Sequence, residues 1–324
     1  MIPRLLTYLR HTAEARPAPP TATIKVTRDD NSTSNTTMVV KTIYICRHGF
    51  RLNWTLDPHT ITYSANFPTP TGIPADPPLA SHGEAQSLEL ATAVAALDPP
   101  VDAIYGSPYY RCLQTIAPAA RIIGGRLPPA RRGIRVETGF GEWYGQTDGV
   151  PQPRPAPVSS LAPLFPGLLD TSYTSTAEAH PHGESIKQLH DRIAAALHAV
   201  ISAADAEPDG PSAILICTHA ASMIAMGRAL TGVMPADPCD DDFKCFTASL
   251  SRYVRRTVDD GPPSEWRGVG VKGGWDCEAN ADCSHLVGGE ERGWHFSGDE
   301  SFLRDPDAFN DADNERRETR ETKL

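Results

Sequence analysis

Two histidines and several arginines stand where a folded chain could bring them together. Arg47-His48-Gly49 follows directly on the apolar run Thr42-Ile43-Tyr44-Ile45-Cys46, and Thr218-His219 follows directly on Ala213-Ile214-Leu215-Ile216-Cys217. Between them, Val101-Asp102-Ala103-Ile104-Tyr105 leads into Gly106-Ser107-Pro108 and then Arg111. A guanidinium is a planar, permanently charged fork that suits phosphate oxygens. An imidazole can act as a nucleophile and carry a group covalently. An Arg beside a His, with a second His and another Arg in equivalent places, therefore points to chemistry on a phosphorylated ligand. The triplet Arg-His-Gly alone is a weak signal; its company gives it weight.

The elements that must position these residues can be read from the same stretches. Continuous apolar runs of this length are buried strands of an α/β sheet. Such proteins bind ligands at the carboxyl ends of their strands, where His48, Arg111 and His219 would then lie. Gly49 would let the chain turn sharply after the first strand, and Pro108 suits a first helical turn. Ser81 with Glu84 reads as a capping box, with Ala85, Leu88, Ala91 and Val94 as the apolar face of the helix that follows. Glu184 to Ile201 carries Ile186, Leu189, Ile193, Leu197 and Val200 at helical spacing, and Ala220 to Leu230 follows the second His. Strands alternating with helices imply crossover units and a mainly parallel sheet.

These residues resemble the histidine phosphatase (phosphoglycerate mutase-like) superfamily. The matching elements are Arg47-His48-Gly49, Leu79-Ala80-Ser81-His82-Gly83-Glu84, Ser107-Pro108 with Arg111-Cys112-Leu113-Gln114-Thr115, and Thr218-His219, over roughly 40 to 255. The resemblance implies a three-layer α/β/α sandwich and a phosphohistidine mechanism without a metal or other cofactor. It assigns the nucleophile to His48, the phosphate clamp to Arg47 and Arg111, and a further hydrogen bond to the transferring group to His219. Arg47-His48-Gly49-Phe50-Arg51 is similar to the branch of the Sts/TULA-type phosphatases, which implies that Arg51 enters the phosphate pocket. Glycolytic mutases usually carry Glu-Ser after the Gly, so Phe50-Arg51 counts against a mutase. Asn53 is expected to hold this loop through its amide.

A leaving alkoxide needs a proton, which a carboxylic acid with a pKa raised by partial burial can supply. Two glutamates compete. Glu142, in Gly139-Phe140-Gly141-Glu142-Trp143-Tyr144, resembles the family segment that carries the general acid, with Phe140 and Trp143 as shields. Glu184, in His182-Gly183-Glu184-Ser185, resembles the start of a later helix, where capping and favourable charge at a helix N-terminus account for it. The reading prefers Glu142 and keeps Glu184 as the alternative. His180 and His182 read as surface residues.

The rest of the chain bounds this picture. With 324 residues, 40% hydrophobic and 22% charged, it can bury a sizeable core. A net charge of −10 argues against a broad nucleic-acid surface, while leaving room for a local anion pocket. No apolar run is long enough to span a membrane. Seven cysteines without dense spacing suit a reducing compartment, cytoplasmic or nuclear. Residues 1–38 read as a disordered segment with a faint likeness to a mitochondrial presequence that Glu14 opposes, and Met38 as an alternative start. Residues 39–303 read as the catalytic domain, including a Pro-rich surface insertion at 150–166 and an extension at 259–303; residues 304–324 read as a charged tail.

The extension, with Gly274-Trp275-Asp276-Cys277 and Gly293-Trp294-His295-Phe296, resembles that of fungal histidine-phosphatase-like proteins, a group that includes a subunit of the RNA polymerase III factor TFIIIC. It is expected to add one or two strands, with Trp275, Trp294 and Phe296 packed on the core. A zinc site from Cys239, Cys245, Cys277, Cys283, His285 and His295 is a weaker reading, since none forms a Cys-x-x-Cys pair. The expected function is phosphomonoester hydrolysis of a small molecule or phosphoprotein. The alternatives are a binding subunit of a protein assembly and, further behind, a mutase. A homodimer is left open.

Overall fold

Thr42–Arg47 is buried along nearly its whole length, and its side chains alternate between two cores. In the computed structural model, which describes residues 39–296 apart from 58, 147–149 and 260, this strand is β1. It is followed by β2 (Trp54–Asp57), β3 (Thr62–Ala65), α1 (Ser81–Ala95), β4 (Ala103–Gly106), α2 (Tyr110–Ile123), β5 (Arg135–Val136) and α3 (Val158–Leu161). Then come α4 (Ile186–Ala206), β6 (Ala213–Thr218), α5 (Ala220–Thr231), β7 (Leu250–Arg255) and β8 (Trp275–Asp282). The expected segments 1–38 and 304–324 lie outside the described residues.

The main sheet runs β5-β4-β6-β1-β7-β8, and β2 pairs with β3 as a separate hairpin. β5, β4, β6 and β1 are mutually parallel, β7 runs antiparallel to β1, and β8 runs antiparallel to β7. Ile43, Ile45, Ile214 and Ile216 face Leu189, Ile193 and Leu197 of α4 and Met223 and Ile224 of α5. Tyr44, Cys46, Leu215 and Cys217 face Leu90 and Val94 of α1 and Leu113 and Ile116 of α2. The period-2 pattern of two central strands thus builds both cores, and the three-layer α/β/α sandwich follows. Among the described residues, no helix is long and apolar enough to cross a membrane.

Several local expectations need correcting. α1 begins at Ser81 itself, so its N-cap is Ala80, without a side-chain cap. Glu84 accepts instead from Gln114 Nε2 at 3.0 Å, which ties α1 to α2. The buried face of α1 is Gly83, Gln86, Ser87, Leu90, Ala91 and Val94, while Leu88 is exposed. A four-turn helix with small residues on two faces has no unique apolar stripe, so spacing alone misplaced it. Pro108 stands ahead of α2 rather than in its first turn. The Pro-rich insertion is more than surface: it forms α3 and buries Leu161 and Phe165. The extension adds β8 to the main sheet and packs Trp275 and Phe296 into the core.

Candidate functional site

Strand register brings the site together. β1 and β6 pair with Arg47 opposite Thr218, and β4 and β6 pair with Gly106 opposite Cys217. The next residues, His48, Ser107 and His219, therefore leave the sheet side by side at its C-terminal edge. The His48 and His219 rings lie 5.3 Å apart between centroids, edge to face. Ser107 Oγ is 2.7 Å from His219 Nε2. Gly49 is needed for a close approach rather than a left-handed turn: a Cβ there would lie 2.9 Å from Gly83 O in the first turn of α1. A Cβ on Gly83 would meet Phe50 O at 2.0 Å, so both glycines let α1 seat against the loop that follows His48.

His48 is 3% exposed, and its Nδ1 lies 2.8 Å from Gly49 O. A carbonyl can only accept, so Nδ1 carries the proton and Nε2 keeps its lone pair. Burial, followed by the positive charges of Arg111, His219 and Arg47, holds its pKa well below the usual 6.5. His48 is thus held toward the neutral imidazole, and its Nε2 has no hydrogen-bond partner among the described residues.

Arg111, the second residue of α2, is fully buried. Its Nη1 donates to Ala75 O at 3.3 Å and to Asp76 Oδ1 at 3.4 Å. Its Nη2 donates to Glu142 Oε2 at 3.1 Å and lies 3.2 Å from His219 Nδ1. Asp76 also accepts the amide of Tyr110 at 2.9 Å, so one buried carboxylate caps α2 and aims Arg111. Sequence reasoning missed Asp76; no local pattern marks a carboxylate that acts from thirty-five residues away. Arg47 donates through Nη1 to Cys245 O at 2.6 Å. The Nε atoms of Arg47 and Arg111 are buried without a hydrogen-bond partner among the described residues. Buried donors in want of an acceptor fit an anion. Arg51 donates to Leu52 O at 2.9 Å. Burial first, and the charge of Arg111 next, lower its pKa to about 10, which puts it in the same electrostatic cluster.

Glu142 arrives on a loop pinned from several sides. Thr218 Oγ1 donates to Phe140 O at 2.7 Å, Ser222 Oγ to Gly141 O at 2.8 Å, and Arg192 Nη1 to Gly139 O at 2.7 Å. Just upstream, the buried carboxylate of Glu137 accepts from the amides of Gly139 and Thr176 and from Tyr173 Oη. Glu142 Oε2 is 3.2 Å from His219 Nδ1. The expectation of a raised pKa fails for this state of the site. Burial does push the carboxyl up, but His219 and Arg111 outweigh it and hold Glu142 well below its ordinary 4.5. At His219 burial opposes the charged form, yet Cys112 and Glu142 raise its pKa above 6.5. The shared proton therefore sits on His219, and Glu142 is a carboxylate.

The other candidates fall apart from this centre. Glu184 is buried in a two-pronged ion pair with Arg192, both contacts at 2.8 Å. The cap of α4 is Ser185, in a capping box with Gln188. The capping explanation for Glu184 is thus overturned: the neighbouring hydroxyl took that role and left its carboxylate for Arg192. Asn53 is exposed, with no side-chain hydrogen bond among the described residues. The loop is held by Leu52 N donating to Pro78 O at 3.0 Å and Gly49 N donating to Thr115 Oγ1 at 3.0 Å. Among the described residues the one His/Cys/Asp/Glu trio spaced for a metal is His48, Glu142 and His219, with ligand atoms within 4.8 Å of one another. Arg111 contacts two of the three, and the charges of Arg47 and Arg111 bear on His48, so a cation is disfavoured there.

The transcription factor tau 55 kDa subunit of Saccharomyces cerevisiae is 33% identical over 271 residues, 80% of this chain and 59% of that protein. The ecdysteroid-phosphate phosphatase of Drosophila melanogaster is 26% identical over 214 residues, 60% of this chain and 27% of that protein. The chain therefore spans about three fifths and about a quarter of these two relatives. A crystal structure of the ecdysone phosphate phosphatase from Bombix mori with tungstate aligns with a TM-score of 0.49 and 21% identity, over 69% of this chain and 93% of that one. Residues 43–259 match the histidine phosphatase superfamily (branch 1), and the chain belongs to that family.

Proposed function

We propose that the chain is a metal-independent phosphomonoester hydrolase working through a phosphohistidine at His48. The observation that carries this reading is the state of His48: neutral, with Nδ1 held by Gly49 O and Nε2 free, beside arginines with unpaired buried donors. Arg47, Arg51 and Arg111 would take the equatorial phosphoryl oxygens, with His219 donating a further hydrogen bond. Nε2 attacks phosphorus as the bond to the ester oxygen breaks, and the leaving alkoxide takes a proton. Water then attacks the phosphohistidine, giving inorganic phosphate and restoring the imidazole.

Glu142 serves as the general acid once substrate binds. A phosphate dianion draws Arg111 and His219 onto its own oxygens and sets negative charge beside the carboxylate. Both changes raise the Glu142 pKa toward the acid form. The same carboxylate then takes the proton of the attacking water. Glu184, locked to Arg192, holds the loop that carries Glu142. Residues 39–303 form the catalytic domain in this reading.

A second reading is favoured by the similarity to the transcription factor tau subunit over 80% of this chain. In it the chain is a nuclear subunit whose partner is a protein assembly, with or without turnover. The test is hydrolysis of an aryl phosphate by the purified chain in the presence of EDTA, with acid-free quench and mass spectrometry. Phosphate on His48, and loss of turnover in His48→Ala by at least about four orders of magnitude, are expected. Undiminished activity in His48→Ala overturns the hydrolase mechanism, and absence of turnover in the wild type leaves the assembly reading.

A further inference from the structure

The stretch 290–296 of the C-terminal extension is remote from His48 in sequence, yet it lies against both halves of the site. Arg47 Nη1 donates to Arg292 O as well as to Cys245 O. Arg292 adopts φ 48°, a left-handed conformation that is costly for a residue with a side chain. Ala248 does the same at φ 54°, and its amide donates to His48 O at 3.3 Å. Two strained backbone positions thus each aim a group at the nucleophile loop. Strain of this kind persists where the surrounding structure holds it, and it concentrates at functional sites.

Glu291 anchors the arrangement. Its carbonyl accepts the Thr247 amide at 3.0 Å. Its carboxylate accepts from His82 Nε2 at 2.7 Å and Gln86 Nε2 at 3.1 Å. Gln86 Oε1 in turn accepts the Phe50 amide at 2.9 Å, two residues past the nucleophile. The Arg292 guanidinium lies 4.0 Å over the Phe50 ring. On the other side, Trp294 and Phe296 pack edge-on against Trp143, next to Glu142, at 6.2 and 5.4 Å between centroids.

We propose that Glu291 is a positioning residue for the phosphate pocket: it holds the backbone of Arg292 and, through Gln86, the nucleophile loop, and so sets the orientation of Arg47. Two carbonyls on one terminal nitrogen fix the plane of the guanidinium, and a fork binds an oxyanion well only in the right plane. The extension is then part of the site rather than an ornament on the sheet. This inference rests on the hydrolase reading only for the identity of the ligand, so it is tested by binding.

The full chain would be titrated calorimetrically with inorganic phosphate as wild type, Glu291→Ala, Arg47→Ala and the double variant. Loss of one well-placed charged hydrogen bond weakens binding by about tenfold, so Glu291→Ala should raise Kd by that factor. Glu291→Gln, which keeps an acceptor for Gln86, should recover most of it. In the Arg47→Ala background Glu291→Ala should add almost nothing, because its effect passes through Arg47. An unchanged Kd in Glu291→Ala, or an equal loss with and without Arg47, overturns the proposal. Should Glu291→Ala fail to fold, Gln86→Ala enters the same cycle with the same two outcomes. Phosphate binding without aryl phosphate turnover would sink the hydrolase reading alone.

Discussion

Two glutamate–arginine pairs stand within one loop of each other and behave oppositely. Glu184 and Arg192 meet through two contacts of 2.8 Å, with side chains 3% and 4% exposed. The third nitrogen of Arg192 is also occupied, by the carbonyls of Gly139 and Gly141. Glu142 and Arg111 meet through one contact of 3.1 Å, share it with His219, and leave Arg111 Nε without a partner among the described residues. The Glu142 side chain is 20% exposed. A saturated pair has nothing to exchange and serves as scaffold. A stretched, shared pair with a spare donor can trade its partners for a phosphoryl group. Residue types alone do not distinguish the two; hydrogen-bond saturation does.

The largest contrast is expected in catalysis. Glu142→Gln should slow alkyl phosphates by about a hundred- to ten-thousand-fold, and good aryl leaving groups much less, since only a basic alkoxide needs the proton. Glu184→Gln should show no such dependence on leaving group. A plot of log kcat/KM against leaving-group pKa for the two variants decides the matter, and interchanged slopes would exchange the roles.

Stability should reverse the order. Removing one partner of a buried ion pair leaves the other charge uncompensated, so Glu184→Ala should lower the unfolding free energy by about 3–5 kcal/mol in urea melts. Glu142→Ala removes a partly exposed carboxylate that meets Arg111 through one contact while Asp76 still faces that guanidinium, so it should cost less, about 1 kcal/mol. Equal losses would mean that Glu142 is as structural as Glu184.

The smallest effect sharpens the electrostatics. The Glu142 charge helps hold a proton on His219 above pH 6.5, so the alkaline limb of kcat/KM for an aryl phosphate should shift to lower pH in Glu142→Gln. Glu184→Gln should leave that limb in place. The acid limb should lie below pH 6.5 in both, because His48 titrates well below its ordinary value. A wild-type acid limb at or above 6.5 would contradict the neutral nucleophile.

Much of the molecule was legible from its residues. Uninterrupted apolar runs ending in Arg47-His48 and Thr218-His219 marked the central strands and the edge where the site lies. The face of α4 could be read because Leu189, Ile193, Leu197 and Val200 recur at the helical period. α1 was misread because alanines and serines offer no contrast between faces. Strand ends marked His48, Arg111 and His219 as candidates, and the resemblance to a known family added Arg47 and Glu142.

What these motifs could not contain is the set of long-range partners. Asp76 aims Arg111, Glu137 braces the loop that carries Glu142, Arg192 claims Glu184, and Glu291 reaches the loop after His48 through Gln86. The sequence by itself determined the layers and the sheet edge at which the candidate site lies, because burial periodicity and strand ends are local properties of the chain. Only the tertiary structure decided which carboxylate is locked into an ion pair, Glu184, and which is shared between Arg111 and His219, Glu142. Charge state depends on distance, burial and competing hydrogen bonds, and those quantities exist only after remote segments have met.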